Sequence, residues 1–298
     1  MKKVLSVALM SVLAMALLLT GCGDKAGADK DAKKANDKAI LVVSFGTSYN
    51  ESRNITIGAI EGAIKESFPE YDVRRAFTAQ IIIDKLEKEE KIKIDNVKEA
   101  LDRAVADGVK TLVVQPTHLM NGLEYDDLKK ELDGYKDKFD KLVLGEPLLT
   151  SDDDYAKVIK AITEDTKQYV DGETAICFMG HGTEAKSNKV YATMQEKLKA
   201  AGYNDYFVGT VEASPSIDDV MKAVNADGKY KKVVLQPLMV VAGDHANNDM
   251  AGDEEDSWAT KFKGDGKEVK SVIKGLGQYY EIQKIYVEHV KAAIDSIK

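Results

Sequence analysis

Two histidines and a glutamate stand where their side chains could act together. His181 lies between two glycines directly after one apolar run, His245 follows a second, and Glu212 ends a third. Imidazole nitrogens and a carboxylate are suitable ligands for Co, Ni, Fe or Zn, and imidazoles also accept protons near neutral pH. The pattern therefore predicts a metal site formed by His181, Glu212 and His245.

Simpler explanations of the same residues stay open. A histidine in a turn often bonds only to the backbone, and Glu212 could cap a helix or pair with a cation. The three residues are far apart along the chain, and no local metal-binding motif spans such separations. A glutamate directly after an apolar strand, however, is partly desolvated unless it meets a cation or a donor, which favours a shared site.

A pair of near-copies indicates how the candidate residues are positioned. Segments 113–122 and 234–243 each begin with an apolar run that ends in Gln-Pro, and each ends in a glycine six residues after the proline. Glu124 comes two residues after the first of these glycines, and His245 comes two residues after the second. The repeat predicts a duplicated α/β unit whose strand ends face one cleft, with a carboxylate from one half and an imidazole from the other.

Short apolar runs alternate with amphipathic stretches from residue 39 onward, which predicts four strands in each half. The predicted strands are 40–45, 71–77, 111–115 and 142–144, followed by strands centred on Ile176, Phe207, Val234 and Val272. Most of these runs are apolar throughout, as is typical of parallel strands covered on both faces. We therefore expect an α/β fold of two similar doubly wound halves, 39–150 and 151–298, each with a four-stranded mostly parallel sheet flanked by helices.

Helices are predicted between the strands. One carries Ile57, Ile60 and Ile64 at helical spacing, and others cover about 124–132, 187–201, 216–226 and 281–297. Asp95 is expected to cap one helix, and Ser151 with Asp154 another. Ligands of open α/β sheets bind outside the carboxyl ends of the strands, where all the candidate site residues lie.

The amino terminus has the pattern of a bacterial lipoprotein signal. Lysines at positions 2 and 3 precede an apolar stretch, which ends in Leu-Thr-Gly before Cys22. We expect removal of residues 1–21, lipidation of Cys22, and an exported protein anchored at the extracytoplasmic face of a membrane. The alternatives are an ordinary signal or a spanning helix, although the stretch is short for a span of about 20 residues. Residues 22–38 lack large apolar side chains and predict a disordered tether.

Composition excludes several function classes. The net charge of −8 and the lack of a basic run argue against a nucleic-acid partner. The chain has no Walker loop, Gly-x-Ser-x-Gly elbow, His-Glu-x-x-His or paired Cys-x-x-Cys. Cys177 lies inside an apolar run and is expected in the core, His289 is expected at the surface, and the acidic run 253–256 is expected on an exposed helix face.

Five motifs in order resemble one family. Segments 44–48, 115–118 with 122–125, 179–183, 211–215 and 243–249 together resemble the anaerobic sirohydrochlorin cobaltochelatases. These are class II chelatases related in fold to ferrochelatase, and the resemblance runs from about residue 39 to the carboxyl terminus. It implies insertion of Co²⁺ into sirohydrochlorin on the route to cobalamin, with release of two protons and no organic cofactor.

The resemblance also implies roles for individual residues. His181 and His245 match the metal-binding pair, with Glu212 beside them, and His181 and Glu212 also count among the catalytic residues. Glu124 matches a further active-site carboxylate, and His118 matches a family position without an assigned role. Arginines are candidate partners for the carboxylates of the substrate by composition alone, namely Arg53, Arg74 and Arg75.

The export signal keeps a second function class open. A cobalamin-pathway enzyme should meet its substrate in the cytoplasm, whereas this chain carries a signal for export and lipidation. The alternative is a non-catalytic lipoprotein that binds haem, another tetrapyrrole or a metal for uptake. Histidine and carboxylate ligands also accept Fe²⁺ or Ni²⁺, so the sequence does not distinguish these metals from Co²⁺. The sequence also leaves open whether the protein forms a homo-oligomer.

Overall fold

Two four-stranded parallel sheets organise residues 36–298, the part of the chain that the computed structural model describes. The first sheet has the order β2-β1-β3-β4 and the second has the order β6-β5-β7-β8. The strands are β1 Lys38–Ser44, β2 Asp72–Phe77, β3 Thr111–Pro116, β4 Lys141–Leu144, β5 Thr174–Gly180, β6 Tyr206–Thr210, β7 Lys232–Pro237 and β8 Glu268–Ser271. Cys22 and the predicted signal lie outside the described residues.

Helices cover both faces of the sheets. They are α1 Asn50–Ile55, α2 Ile57–Ser67, α3 Gln80–Glu90, α4 Val97–Ala106, α5 Leu123–Asp133, α6 Asp152–Thr166, α7 Lys189–Ala200, α8 Ile217–Asn225, α9 Trp258–Gly264 and α10 Tyr280–Asp295. None of these helices is both long and apolar enough to cross a membrane. The expected fold class, two similar parallel α/β halves, is confirmed.

The two sheets repeat the same pairing. Val43 of β1 pairs with Pro116 of β3, and Met179 of β5 pairs with Pro237 of β7, so both Gln-Pro runs occupy the same ladder position. The central strands are also the most buried: β5 is buried at every position and β1 at every position after Lys38. This burial on both faces explains why their sequences are apolar without alternation. The edge strand β8 ends one residue before Val272, on which the sequence centred it.

The sequence analysis of the helices needs correction at α4 and α3. The cap of α4 is Asn96 rather than Asp95: the Asn96 side chain accepts a hydrogen bond from the Glu99 amide, and the Glu99 carboxylate accepts one from the Asn96 amide. Asp95 instead binds Arg103 through its carboxylate and accepts a bond from the Phe77 amide through its carbonyl. The sequence also missed α3 altogether, because that helix buries only Ile83 and Leu86 and its three consecutive isoleucines do not follow a helical period.

The acidic run 253–256 does not form a helix face. It lies in an exposed turn before α9, whose first turn is capped by Ser257 through a bond from the Thr260 amide. The cap ends the turn and starts the helix only at Trp258, so the acids fall outside it. The prediction that they are solvated was correct, but the predicted helix was wrong.

The carboxyl-terminal helix joins the two halves. Buried side chains of both sheets, among them Val42, Val113 and Phe178, share one hydrophobic cluster with Ile285 of α10. The buried hydroxyl of Tyr286 in the same helix donates to the Thr117 carbonyl of the first half at 2.9 Å. Helix α10 therefore stabilises the strand ends of the first half although it follows the last strand of the second.

His289 is not a solvated surface residue, as the sequence suggested, but a largely buried link between helices. Its Nε2 lies 3.1 Å from Asp154 Oδ1, and its Nδ1 lies 3.0 Å from the Glu146 carbonyl. Asp154 also forms the predicted capping box of α6 with Ser151. Burial disfavours the ionised form of Asp154, but the bonds from Ser151 and the adjacent His289 outweigh it and lower the pKa of Asp154.

We expect Asp154→Asn to reduce the free energy of unfolding at pH 7 by about 1–2 kcal/mol, since it weakens a helix cap and a buried pair. A carboxyl group whose pKa is lower in the folded state than in the unfolded state, where it is 3.8, contributes its full stabilisation of the fold above that pH. This contribution is lost as pH falls through the pKa of the folded state. Urea unfolding should therefore show a wild-type advantage at pH 7 that narrows at pH 3. The exposed Asp152→Asn is the matched control, and an equal loss in both variants would contradict the role of Asp154.

Candidate metal centre

The three residues predicted as metal ligands come together at the carboxyl end of the second sheet. His181 directly follows β5, Glu212 follows the neighbouring β6, and His245 lies in the loop after β7. One ligand atom from each lies within 4.8 Å of the others. The rings of His181 and His245 have centroids 4.6 Å apart and planes at 86°. Parallel pairing of three adjacent strands thus places side chains that are distant in sequence around one point.

This cluster is open to solvent. The side chains of His181 and Glu212 are 45% and 54% exposed, and that of His245 is 33% exposed. The donor set contains no thiolate, so it suits a divalent ion of intermediate softness without the strong retention of a cysteine site. An ion held here could enter from solvent and leave again.

The backbone fixes the ring of His181. Its Nδ1 lies 2.8 Å from the Gly182 carbonyl, which makes Nδ1 the protonated nitrogen and leaves the lone pair of Nε2 for a metal. Gly182 has a φ of +91°, and a Cβ there would lie 2.8 Å from the Ala213 amide nitrogen. The glycine after His181 is therefore required both by the turn and by the close approach of the strand end that carries Glu212.

A carboxylate fixes the ring of His245. His245 precedes a short π-helical turn, Ala246–Met250, which brings Asp249 Oδ2 to 2.8 Å from His245 Nδ1. Such turns are frequent at functional sites, and a carboxylate on the far nitrogen of a metal-binding histidine holds its tautomer and its orientation. The sequence did not identify this role for Asp249, although its four-residue spacing from His245 was a signal of contact.

Glu124 does not belong to this cluster. It lies in the first turn of α5 in the first half, where its Oε2 is 3.0 Å from His118 Nε2 and accepts a bond from Thr78 Oγ1 at 3.2 Å. His118 is largely buried, and its Nδ1 has no hydrogen-bond partner within residues 36–298. The sequence predicted Glu124 but left His118 without a role and missed Thr78.

The segment after β1 in the first half contacts the loop that carries His245. The Tyr49 hydroxyl lies 3.3 Å from Asp244 Oδ1, and the Ala242 amide donates to Ser52 Oγ at 3.1 Å. Partial burial and the neighbouring Asp244 raise the pKa of Tyr49, so this hydroxyl is protonated at neutral pH. The turn that carries Glu124 also approaches the second half, since a Cβ on Gly122 would lie 3.5 Å from Ser187 Oγ. The strand ends of both halves thus border one cleft, with the histidine cluster in the second half and Glu124 in the first.

The arginines suggested for substrate binding are already paired. Arg53 is buried and bonds Glu90 at 2.8 Å, Arg74 bonds two aspartates, and Arg75 bonds Glu61 with both Nε and Nη2. Each of the three arginines is thus engaged in an ion pair within the first half, and contact with substrate carboxylates stays a prediction. Cys177 is buried in β5 as expected, and its burial raises the pKa of its thiol.

Comparison with known proteins identifies the family. The model of the cobalt chelatase (CbiK) family matches residues 38–295. The chain belongs to the cobalt chelatase family. It is 36% identical over 258 residues to the sirohydrochlorin cobaltochelatase of Salmonella typhimurium, covering 87% of this chain and 97% of that protein. It is 29% identical over 262 residues to the sirohydrochlorin cobaltochelatase CbiKC of Nitratidesulfovibrio vulgaris, covering 87% and 92%. The family resemblance predicted from the motifs is confirmed.

Solved structures of other chelatases share the fold. SirB from Bacillus subtilis with Fe³⁺ aligns with a TM-score of 0.61 at 16% identity, over 87% of this chain and 97% of that one. CbiX, described as the terminal enzyme of siroheme biosynthesis in denitrifying bacteria, aligns with a TM-score of 0.52 at 16% identity, over 86% and 99%. At this identity the likeness concerns the fold alone.

We expect Asp249→Ala to weaken Co²⁺ binding about tenfold or more, because His245 loses the partner that sets its tautomer and orientation. Asp249→Asn should weaken Co²⁺ binding less than Asp249→Ala does, since the amide oxygen can still accept the hydrogen bond from His245 Nδ1. Titration of each purified variant with Co²⁺ measures the effect. Asp253→Ala removes an equal charge from the exposed turn nearby and should bind as wild type. Equal affinities of Asp249→Ala and wild type would contradict this role.

Proposed function

We propose that this protein inserts Co²⁺ into sirohydrochlorin with release of two protons. The observation that carries the proposal is a three-ligand cluster, His181, Glu212 and His245, that shares a cleft with Glu124 in a member of the cobalt chelatase family. Curated relatives that align over most of the chain are named for this reaction. The family and the site geometry support the proposal independently.

Metal insertion needs an ion that is bound and then released. Three protein ligands leave coordination positions of the ion free for water and for the incoming pyrrole nitrogens. Two of the ligands are imidazoles whose Nε2 lone pairs are left available by bonds at Nδ1. Because the site is exposed and lacks thiolate, transfer to the macrocycle does not have to overcome very tight binding.

The reaction also needs an acceptor for the pyrrole protons. Glu124 is partly exposed on the opposite side of the cleft and accepts bonds from Thr78 and His118, which hold its carboxylate in one orientation. A positioned carboxylate can act as a general base toward a pyrrole N–H. Since Glu124 is not among the clustered ligands, it stays available for the proton while the ion occupies the other half.

The donor set by itself accepts Fe²⁺, Co²⁺ and Ni²⁺, with affinity that rises in this order for comparable ligands. Co²⁺ is proposed because the family and the named relatives specify cobalt. Fe²⁺ and Ni²⁺ are expected to bind and to compete at the same cluster. The proposed reaction uses no organic cofactor.

The decisive test mixes the purified protein with sirohydrochlorin and Co²⁺ without oxygen and follows the absorbance change. We expect conversion faster than the spontaneous rate, and His181→Ala should abolish the acceleration because it removes a ligand. Glu124→Gln should lower kcat on the order of 100-fold, as expected for loss of a general base, while Co²⁺ affinity stays unchanged.

Two results would redirect the proposal. Undiminished Co²⁺ affinity in both His181→Ala and His245→Ala would exclude a shared metal site. Tight binding of tetrapyrrole and metal by wild type without any acceleration would indicate the non-catalytic uptake protein instead.

We further propose that the protein works at the extracytoplasmic face of a membrane, anchored through lipid on Cys22. The support is the sequence of residues 1–21 with its basic start, its apolar stretch and the small residues before the cysteine. Lipid attachment with retention of the catalytic domain would place tetrapyrrole metallation outside the cytoplasm. The substrate would then have to be exported or acquired from outside.

We expect Cys22→Ser to move the protein from the membrane fraction to the soluble fraction, since the sulfur that carries the lipid is lost. Fractionation of cells expressing either form, with labelled fatty acid to detect lipidation, measures this. Cys177→Ser is the control, because Cys177 is buried in the folded domain. Label incorporated equally into the Cys22 variant and wild type would exclude the anchor.

A further inference from the structure

The matching registers of the two sheets align the site residues one by one. Ser44 pairs with Phe77 in the first sheet, and Gly180 pairs with Thr210 in the second. With the Gln-Pro runs matched as described, Ser44 corresponds to Gly180, and the next residue, Phe45, therefore corresponds to His181.

Hydrogen bonds beyond the strand ends agree with this alignment. The Ala79 amide donates to the Phe45 carbonyl at 3.2 Å, and the Glu212 amide donates to the His181 carbonyl at 2.9 Å. Ala79 thus corresponds to Glu212. Because Glu124 and His245 lie at equal distances beyond the matched prolines, Glu124 corresponds to His245.

The first half therefore lacks a metal-binding group at two of the three matched positions. Where the second half has His181 and Glu212, the first has Phe45 and Ala79, and only Glu124 retains a group that could bind an ion. The backbone at the matched turn is unchanged, since Gly46 after Phe45 and Gly182 after His181 both have a positive φ, +102° and +91°. A Cβ on Gly46 would lie 2.6 Å from the Phe77 ring, so the turn keeps Phe45 at the end of its strand.

Phe45 is a large apolar side chain that is not buried in the core. It is 48% exposed, and Leu123, next to Glu124, is 61% exposed. The turn after Phe45 packs on the loop that carries His245: a Cβ on Gly243 would lie 3.1 Å from Thr47 Oγ1. A Cβ on Gly122, directly before Leu123, would lie 3.5 Å from Ser187 Oγ in the segment after His181. The segments that carry the two exposed apolar residues therefore both approach the loops of the metal ligands.

We propose that Phe45 and Leu123 form an apolar face that holds one flat side of the tetrapyrrole, opposite the metal ligands of the second half. The assignment rests on the proposed function and names the residues that position its substrate. A macrocycle has a wide apolar π surface, and contact with an aromatic ring removes much of that surface from water. In this arrangement the ion approaches one side of the ring from His181 and His245, and a pyrrole proton leaves on the other side toward Glu124.

The test compares Phe45→Ala with wild type, both as full-length protein, in sirohydrochlorin binding without metal and in metallation kinetics. We expect the Kd and KM for sirohydrochlorin to rise about tenfold, in line with loss of an aromatic contact, while kcat and Co²⁺ affinity change less than about twofold. Phe45→Trp should retain tight binding, and Phe45→Leu should fall between. Val170→Ala, an exposed apolar residue at the opposite end of the strands, is the control.

The outcomes separate this inference from the proposed function. Wild-type sirohydrochlorin affinity in Phe45→Ala would overturn the apolar face even if wild type metallates sirohydrochlorin normally. If wild type binds sirohydrochlorin without accelerating metallation, the proposed enzymatic function is overturned. The binding comparison would still decide whether Phe45 contributes to holding the substrate. Loss of Co²⁺ binding in Phe45→Ala would also overturn it, because the residue would then support the metal site. Should Phe45→Ala not fold, Phe45→Leu and Phe45→Trp carry the comparison.

Discussion

The parallel pairing of β5 with β6 and β7 is the constraint on which the site depends. These three strands end at the same edge of the sheet, so the residues just beyond them meet although long helices separate them in sequence. The pairing is secured by complete burial of β5, and its amides and carbonyls are satisfied by the two neighbours. A shift of one residue in either pairing would reverse the faces of the strand residues and displace the ligands relative to one another at the edge of the sheet.

Duplication explains why one cleft offers two different chemistries. Both halves keep the strand order, the register and the positive-φ glycine after the central strand, which are the features that place side chains at the cleft. Because the backbone at the strand ends is alike in the two halves, different residues at matched positions place different functional groups at the same point of the cleft. Phe45 stands in the first half where His181 stands in the second, and Glu124 stands where His245 does. Under the proposed function, the second half would hold the ion, and the first half would supply an apolar contact and a base.

What the sequence could predict follows from which interactions are local or periodic. The buried strands were identifiable because parallel strands covered on both faces are apolar throughout, and the Ser151 cap because its partner Asp154 is three residues away. Helix α3 was missed because few of its residues are buried, and His289 was misplaced because its partner lies on a different helix. The proximity of the three candidate ligands could be predicted because each follows the end of a strand. The contacts of His118 and Arg53 depend on tertiary packing that no local pattern records.

Separation of the ion from the proton acceptor follows from the charges involved. A carboxylate that binds a divalent cation has its lone pairs occupied and its basicity lowered, so it is a poor acceptor for a pyrrole proton. Glu212 lies with the histidines and can compensate the charge of the ion, whereas Glu124 is held by Thr78 and His118 in the other half. A flat substrate between the halves would keep these carboxylates apart while its nitrogens contact both sides. Under the proposed function, the bound substrate would itself keep Glu124 from coordinating the ion.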